Sequence, residues 1–299
     1  VKGMVRRVGG GIYTVALESG EIVEASLRGR LKLEERTGDQ VVIGDRVRVE
    51  LIDDEAHVIE EVFPRQTSIT RSRFGGRTIK VLVANADRLL VVVAAARPKP
   101  RRDLIDRLLV VGESGGVTPV IIINKMDFDG AADVADGLEE VYLPLGYEVL
   151  RISALLSQGM DRLAEQLCEG IAALAGPSGV GKSSLVNALE PEHALRTGEL
   201  SRKHGTGRHT TVSSSLIQLR CGGLVADTPG FSDVGVWGVP REELDGCFPE
   251  LRALKASCRF RECSHLHEPD CAVRQALEEG AIDPGRFESY RILYEESEA

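Results

Sequence analysis

Residues 176–184, GPSGVGKSS, hold Gly176, Gly181, Lys182 and Ser183 in the spacing G-x-x-x-x-G-K-[ST]. Glycines in such a bend let successive backbone N–H groups turn towards phosphate oxygens. Pro177, Ser178, Gly179 and Val180 form the rest of the bend, and Ser184 continues into the helix-like run SSLVNAL. Lys182 would neutralise the outer phosphates, and the Ser183 hydroxyl would hold Mg²⁺. The apolar run IAALA leads into the bend. The loop therefore falls between a strand and a helix whose positive end faces the anion.

A second stretch, NKMD at residues 124–127, suits recognition of a purine. The Asp127 carboxylate would accept from N1–H and an exocyclic amine, a donor pair that guanine has and adenine lacks. Asn124 would approach the other edge of the base, the Lys125 stem would lie along the ring, and Met126 completes the loop. The run PVIIIN places the motif at a strand's carboxyl end, where ligand loops of open α/β sheets gather. Ser153 and Ala154, after the strand-like YEVLRIS, would support guanine from its far side.

Two further stretches would sense the phosphates. LVADTPG ends an apolar run with Asp227, placed to orient Mg²⁺, and Gly230, whose N–H would meet a γ-phosphate and register its loss. GTGRHTTV offers Thr210 and Thr211, either of which would complete the Mg²⁺ shell. Phe231 stands where Ras-like enzymes often carry a glutamine that orients the attacking water. Intrinsic hydrolysis is therefore expected to be slow, with His209 the candidate to position water. Two other readings compete: an ATPase or kinase that contains NKMD by chance, and a nucleotide-gated RNA-binding factor whose hydrolysis is incidental.

Near the carboxyl end, CRFRECSHLHEPDC supplies Cys258, Cys263, His265 and Cys271, a set that suits tetrahedral structural zinc with no open position. His267 could replace His265, and Cys247 lies nearby. The six cysteines are too few and too unevenly placed for a disulfide scaffold.

These residues need elements to carry them. Residues 1–66 read as a small β-barrel, with Val47, Val49 and Leu51 alternating against Arg48 and Glu50; OB and SH3-like topologies fit equally. Residues 67–237 alternate apolar strands such as DRLLVVVAA with helical segments, the pattern of an α/β domain with a mostly parallel sheet. Residues 238–299 are mostly helical, with Phe287, Tyr290, Leu293 and Tyr294 forming a core stripe after the helix start DPGR. No apolar run approaches membrane-spanning length, and the amino-terminal residues lack the apolar core of a secretory signal, so the cytoplasm is the expected compartment.

The net charge of −9 argues against indiscriminate nucleic-acid binding. Even so, Arg65, Arg71, Arg73, Arg77 and Lys80 fall in a stretch without acidic residues, and Arg97, Lys99, Arg101 and Arg102 cluster next. A solvated basic face explains each cluster unless another feature implies RNA.

The base reader precedes the phosphate loop, whereas an ordinary small GTPase runs the other way. Rotating the chain about its termini converts one order into the other without moving a strand, so the domain is expected to be circularly permuted. The switch stretch then adjoins residues 238–299 in sequence, which would let that region feel the nucleotide state directly.

The ordered set NKMD, GPSGVGKSS, GRHTT and DTPG, flanked by a barrel and a Cys-Cys-His-Cys cluster, resembles the bacterial small-subunit-dependent GTPase A family, RsgA. The resemblance covers essentially the whole chain. It implies an α/β fold with an OB-fold barrel, a circularly permuted GTPase domain and a zinc-binding helical domain. It also implies late maturation of the small (30S) ribosomal subunit, with GTP hydrolysis to GDP stimulated by that subunit. The family's guanine motif falls on Asn124, Lys125 and Asp127, its phosphate loop on Gly176 to Ser184, and its zinc ligands on Cys258, Cys263, His265 and Cys271. The implied partner is the subunit with its 16S rRNA, not a membrane, and the chain is expected to act as a monomer. On this reading the basic clusters become rRNA contacts.

Overall fold

The computed structural model describes residues 1–29, 31, 40–52, 56–72, 79–190, 214–228 and 239–297. The first five strands, β1 (Lys2–Gly9), β2 (Ile12–Leu17), β3 (Ile22–Leu27), β4 (Arg46–Ile52) and β5 (Ala56–Val62), bury alternate residues. Val5, Tyr13, Val15, Val47 and Ile59 turn inward and fill a common core, as expected for strands with one solvated face. They close in the order β1-β2-β3-β5-β4-β1. Only β3 and β5 run parallel; the other pairs are antiparallel. That order is the OB-fold's, which removes the SH3-like alternative.

A hairpin of β6 (Ser68–Ser72) and β7 (Ile79–Ala84) follows. The chain then enters a larger sheet at its middle. β8 (Arg88–Ala94), β9 (Thr118–Asn124), β10 (Glu148–Arg151), β11 (Ile171–Ala175), β12 (Ser214–Gln218) and β13 (Leu224–Asp227) lie in the order β10-β9-β8-β11-β13-β12. The first five of that order are parallel, and β12 runs antiparallel to β13. Reconnecting the same strands as β11-β12-β13-β8-β9-β10 would give the ordinary phosphate-loop-first sequence with every strand in place. The fold is thus a circularly permuted one.

Near-continuous apolar content in β8, β9 and β11 is explained by cover on both faces. Helices α1 (Arg102–Ser114) and α2 (Ala131–Tyr142) pack on one side through Ile105, Leu108, Ala135 and Tyr142. Helices α3 (Met160–Leu167) and α4 (Lys182–Leu189) cover the other through Leu163, Leu167, Leu185 and Val186. Beyond the edge of this sheet, β12 pairs with β1, so the sheet runs on into the barrel.

The last region holds a 3₁₀ turn (Arg241–Cys247) and helices α5 (Pro249–Leu254), α6 (Ala272–Glu278) and α7 (Pro284–Glu296). Asp283 caps α7 by accepting the Arg286 backbone N–H at 2.9 Å, with Pro284 in the first turn. Tyr290 and Leu293 are buried in this region's core, and Phe287 and Tyr294 pack partly against it. Val110 of α1 joins the same core. The region therefore docks on the helix that joins β8 to β9. The expectation drawn from chain adjacency, that this region feels the switch stretch directly, rests on residues 229–238, which lie outside the described residues.

One pair of cysteines, unanticipated from spacing, is bonded: Cys168 and Cys221, 53 positions apart in sequence with Cα atoms 5.2 Å apart. Among the described residues, no helix is long and apolar enough to cross a membrane.

Candidate functional site

The ends of parallel strands bring the two sequence motifs together. β8 lies between β9 and β11, with Val91 beside both Ile121 and Ala175. The NKMD loop after β9 and the phosphate loop after β11 therefore emerge at the same edge of the sheet. Asn124, only 2% exposed, joins them. Its Nδ2 donates to the Val180 carbonyl at 2.8 Å, and its Oδ1 accepts the Ala154 backbone N–H at 3.3 Å. One side chain thus ties base loop, phosphate loop and base-support loop together.

The phosphate loop is shaped by two close approaches. Gly176 has φ 142° and lies so near β8 that a Cβ would strike the Val92 carbonyl. Gly181 has φ 100°, and a Cβ there would strike Asn124 Nδ2. Both positions require glycine for backbone conformation and for space. Pro177 is half-buried, Ser178 and Gly179 are exposed at the bend, and Val180 is buried. Lys182 Nζ donates to the Gly176 and Pro177 carbonyls at 2.6 and 3.1 Å, which holds the ammonium across the loop. Burial lowers the Lys182 pKa to about 8, a poise that a bound anion would reverse. Ser183 lies half-buried in the first turn of α4, with Ser184 exposed beside it.

On the base side, the Ser153 hydroxyl donates to Asp127 Oδ1 at 2.6 Å and accepts the Leu156 N–H at 3.1 Å. The carboxylate is thereby held with its second oxygen available. Lys125 adopts a left-handed backbone (φ 65°), and its Nζ donates to the Arg97 carbonyl, so its stem spans from one loop to the next. Met126 differs from its neighbours. Its side chain packs on the sheet core and its N–H donates to the Ile152 carbonyl at 3.1 Å, which positions the loop.

Asp227 ends β13, one residue past Ala226, which pairs with Ala173 of β11. It therefore lies at the sheet edge that carries the phosphate loop, as a residue that orients Mg²⁺ must. His209, Thr210, Thr211, Gly230 and Phe231 lie outside the described residues.

The four carboxyl-terminal donors also converge. Cys258, Cys263, His265 and Cys271 place their ligand atoms within 4.8 Å of one another, and the set could hold a metal ion. His265 Nδ1 is 3.5 Å from both Cys258 Sγ and Cys271 Sγ, and those sulfurs are 3.9 Å apart. A tetrahedral zinc with ordinary bond lengths requires about 3.5 Å between sulfur and nitrogen and about 3.8 Å between sulfurs. The donors fit. His265 Nε2 faces Asp245 Oδ2 at 3.3 Å, leaving Nδ1 for the ion. Sequence reading missed Asp245, although a carboxylate shortly before a Cys–His cluster is a signal worth testing.

The basic clusters divide. Arg65 is committed to the barrel: its guanidinium donates to both oxygens of buried Asp45 at 2.7 and 2.9 Å. Arg101 pairs with Asp103, and Arg102 with Asp283. Arg97, Lys99 and Lys80 are exposed, while Arg73 and Arg77 lie outside the described residues.

Comparison with known proteins accords with this arrangement. The family described as RsgA GTPase matches residues 62–237, and the RsgA N-terminal domain family matches residues 2–59. A protein of Gemmatimonas aurantiaca, named small ribosomal subunit biogenesis GTPase RsgA, is 43% identical over 98% of this chain and 96% of its own. The crystal structure of YjeQ from Thermotoga maritima superposes with a TM-score of 0.80 at 33% identity, covering 99% of this chain and 98% of its own. YloQ, described as a circularly permuted GTPase, gives 0.74 at 31% identity, with 99% and 94% covered.

Proposed function

The chain belongs to the RsgA GTPase family and is a GTP hydrolase, and from that premise we propose that it serves late maturation of the small (30S) ribosomal subunit. One observation supports the nucleotide reading: Asn124 bonds both the Val180 carbonyl and the Ala154 N–H, so motifs far apart in sequence meet at one edge of the sheet. Asp127, steadied by Ser153, accepts the N1–H and exocyclic amine of guanine, and the Lys125 stem lies along the ring. The backbone of Gly176 to Ser184 cradles the phosphates, with Lys182 countering their charge. Ser183 and Asp227 would hold Mg²⁺, together with Thr210 or Thr211. When bound, that ion screens the charge that builds on the β- and γ-phosphate oxygens. Gly230 reports the γ-phosphate, and His209 positions the attacking water.

The division into residues 1–66, 67–237 and 238–299 assigns a part to each region. The barrel and the exposed Arg97, Lys99 and Lys80 meet 16S rRNA phosphates. Zinc at Cys258, Cys263, His265 and Cys271 stiffens the last region, whose own core is small. The protein works in the cytoplasm as a monomer.

GTP turnover with and without isolated small subunits tests this reading. Small subunits should accelerate it by about 10-fold or more, and large subunits should not, because the geometry around the water is completed by the partner. Equal turnover under all three conditions would refute the proposal. His209→Ala should abolish the stimulation while GDP affinity stays unchanged; intact stimulation would remove His209 from the mechanism.

A further inference from the structure

The bonded pair Cys168–Cys221 has no part in nucleotide or metal binding, yet its position is mechanically distinctive. Cys168 follows α3, the helix after the base-support loop, and Cys221 lies in the turn between β12 and β13. That hairpin connects two places that matter: β13 ends at Asp227, and β12 pairs with β1 of the barrel through Arg7–Ser215 and Val8–Ser214. Its turn is also held by Glu190, at the end of phosphate-loop helix α4, whose Oε1 accepts the Arg220 N–H at 2.5 Å. The Leu224 N–H donates to the Gly170 carbonyl at 2.9 Å, which seats the start of β13 beside Cys168. A reducing cytoplasm keeps most such pairs as thiols, so a pair placed to bond is a candidate for reversible closure.

We propose that Cys168 and Cys221 form an oxidant-responsive latch that fixes the β12–β13 hairpin against α3 and slows the nucleotide cycle when closed. Closure by a small disulfide such as oxidised glutathione balances in two steps. The exposed Cys221 thiolate attacks the small disulfide and expels one thiol. The Cys168 thiolate then attacks the mixed disulfide at Cys221 and expels the second. Two protein thiols become one disulfide, and one small disulfide becomes two thiols. The closed bond removes the freedom of the hairpin turn to shift between two settings, which any relay from Asp227 to β1 requires.

This inference rests on the GTPase reading, and the test separates the two. The full chain is equilibrated in glutathione buffers from reduced to oxidised. Peptide mapping of the Cys168–Cys221 cross-link, GDP release, GTP turnover on small subunits and zinc content are then measured. Oxidised buffer should close the bridge and slow GDP release and turnover by about 5-fold or more. Dithiothreitol should reverse both effects, Cys221→Ser should not respond, and zinc should be retained. Closure with unchanged GDP release, or no closure even in oxidised buffer, would overturn the latch. So would a response that persists in Cys221→Ser, since it would belong to the Cys258 cluster. Absent turnover in every buffer would count against the proposed function instead, while GDP release still judges the latch.

Discussion

The two flanks of the nucleotide sheet are held by different forces. On the base-reading flank, α1 and α2 are clasped to the carboxyl-terminal region by buried charge. Arg286, 1% exposed, donates to Asp106 at 2.7 Å and to Glu250 at 2.7 Å, and the Tyr142 hydroxyl donates to the same Asp106 oxygen at 2.6 Å. Burial works against the Arg286 charge, but Asp106 and Glu250 more than offset it. Arg102–Asp283, Arg107–Glu296 and Arg252–Glu113 ring this centre. On the switch flank, β12 meets the barrel through a short backbone ladder, and its turn rests on Glu190 and one disulfide. The first arrangement resists sliding because each displaced charge would be left buried and unpaired. The second leaves room to shift once the disulfide is opened. The carboxyl-terminal region is thus a fixed frame for the flank that carries NKMD, while the barrel adjoins the hairpin that ends at Asp227.

The largest effect should come from the base flank. Asp127→Asn replaces an acceptor with a donor facing guanine N1–H, and a buried polar mismatch of this kind costs about 10³–10⁴-fold in GDP affinity. Affinity for xanthosine diphosphate should rise in exchange, since its N1 and C2 edge suits the amide. Titration with both nucleotides measures the exchange, and unchanged GDP affinity would remove Asp127 from the pocket.

Next in size is the clasp. Arg286→Met keeps most of the side-chain volume but strands Asp106, whose Oδ2 already has no partner among the described residues. Removing one member of a buried pair costs about 3–5 kcal/mol. Denaturant unfolding should show that loss, with the carboxyl-terminal region separating first. Restoring much of the stability by adding Asp106→Leu would show that the stranded charge, and not lost volume, is responsible.

How far these contrasts could be read from sequence depends on the range of the interaction. NKMD and the phosphate loop are legible because each encodes a local backbone shape and a strand end. OB and SH3-like barrels could not be separated, since the parallel β3–β5 pair is fixed by contacts some thirty residues apart along the chain. The Arg65–Asp45 pair was not legible, because its two members lie 20 residues apart. The clasp left one unused signal: α1 carries four consecutive apolar residues, Leu108 to Val111, one turn after Asp106, the mark of a helix buried on more than one face around a paired charge. Cys168 and Cys221 gave none, for neither has a local signature.

A third prediction lies between the flanks, at Lys182. Its pKa in the folded chain is about 8 against an ordinary 10.5, so protonation of this buried lysine opposes folding. That penalty is fully present below pH 8 and fades as pH climbs towards 10.5, so Lys182 alone makes the unliganded chain more stable across that window. Nucleotide binding has the opposite sign. Phosphates need the ammonium, so GDP affinity should fall above pH 8 by up to about tenfold per pH unit, with proton uptake on binding. Calorimetry in buffers of different ionisation enthalpy measures that uptake, and none at pH 9 would mean that Lys182 does not meet the phosphates.

The smallest prediction tests the switch flank directly. Glu190 is buried, and its Oε1 accepts the backbone N–H of Arg220, whereas the largely exposed Arg220 guanidinium only reaches Oε2 at 3.5 Å. Arg220→Ala keeps the backbone bond and removes a solvent-screened charge contact to Glu190, for which the expected change in stability is about 0.5 kcal/mol or less. Glu190→Ala removes the acceptor itself and should cost about 1–3 kcal/mol. If Arg220→Ala proved as damaging as Arg286→Met, charge would hold both flanks equally, and the switch hairpin could not be the more compliant part. A small effect would instead assign the grip on the hairpin turn to its backbone bonds and the Cys168–Cys221 bond, the one element there that chemistry can open and close.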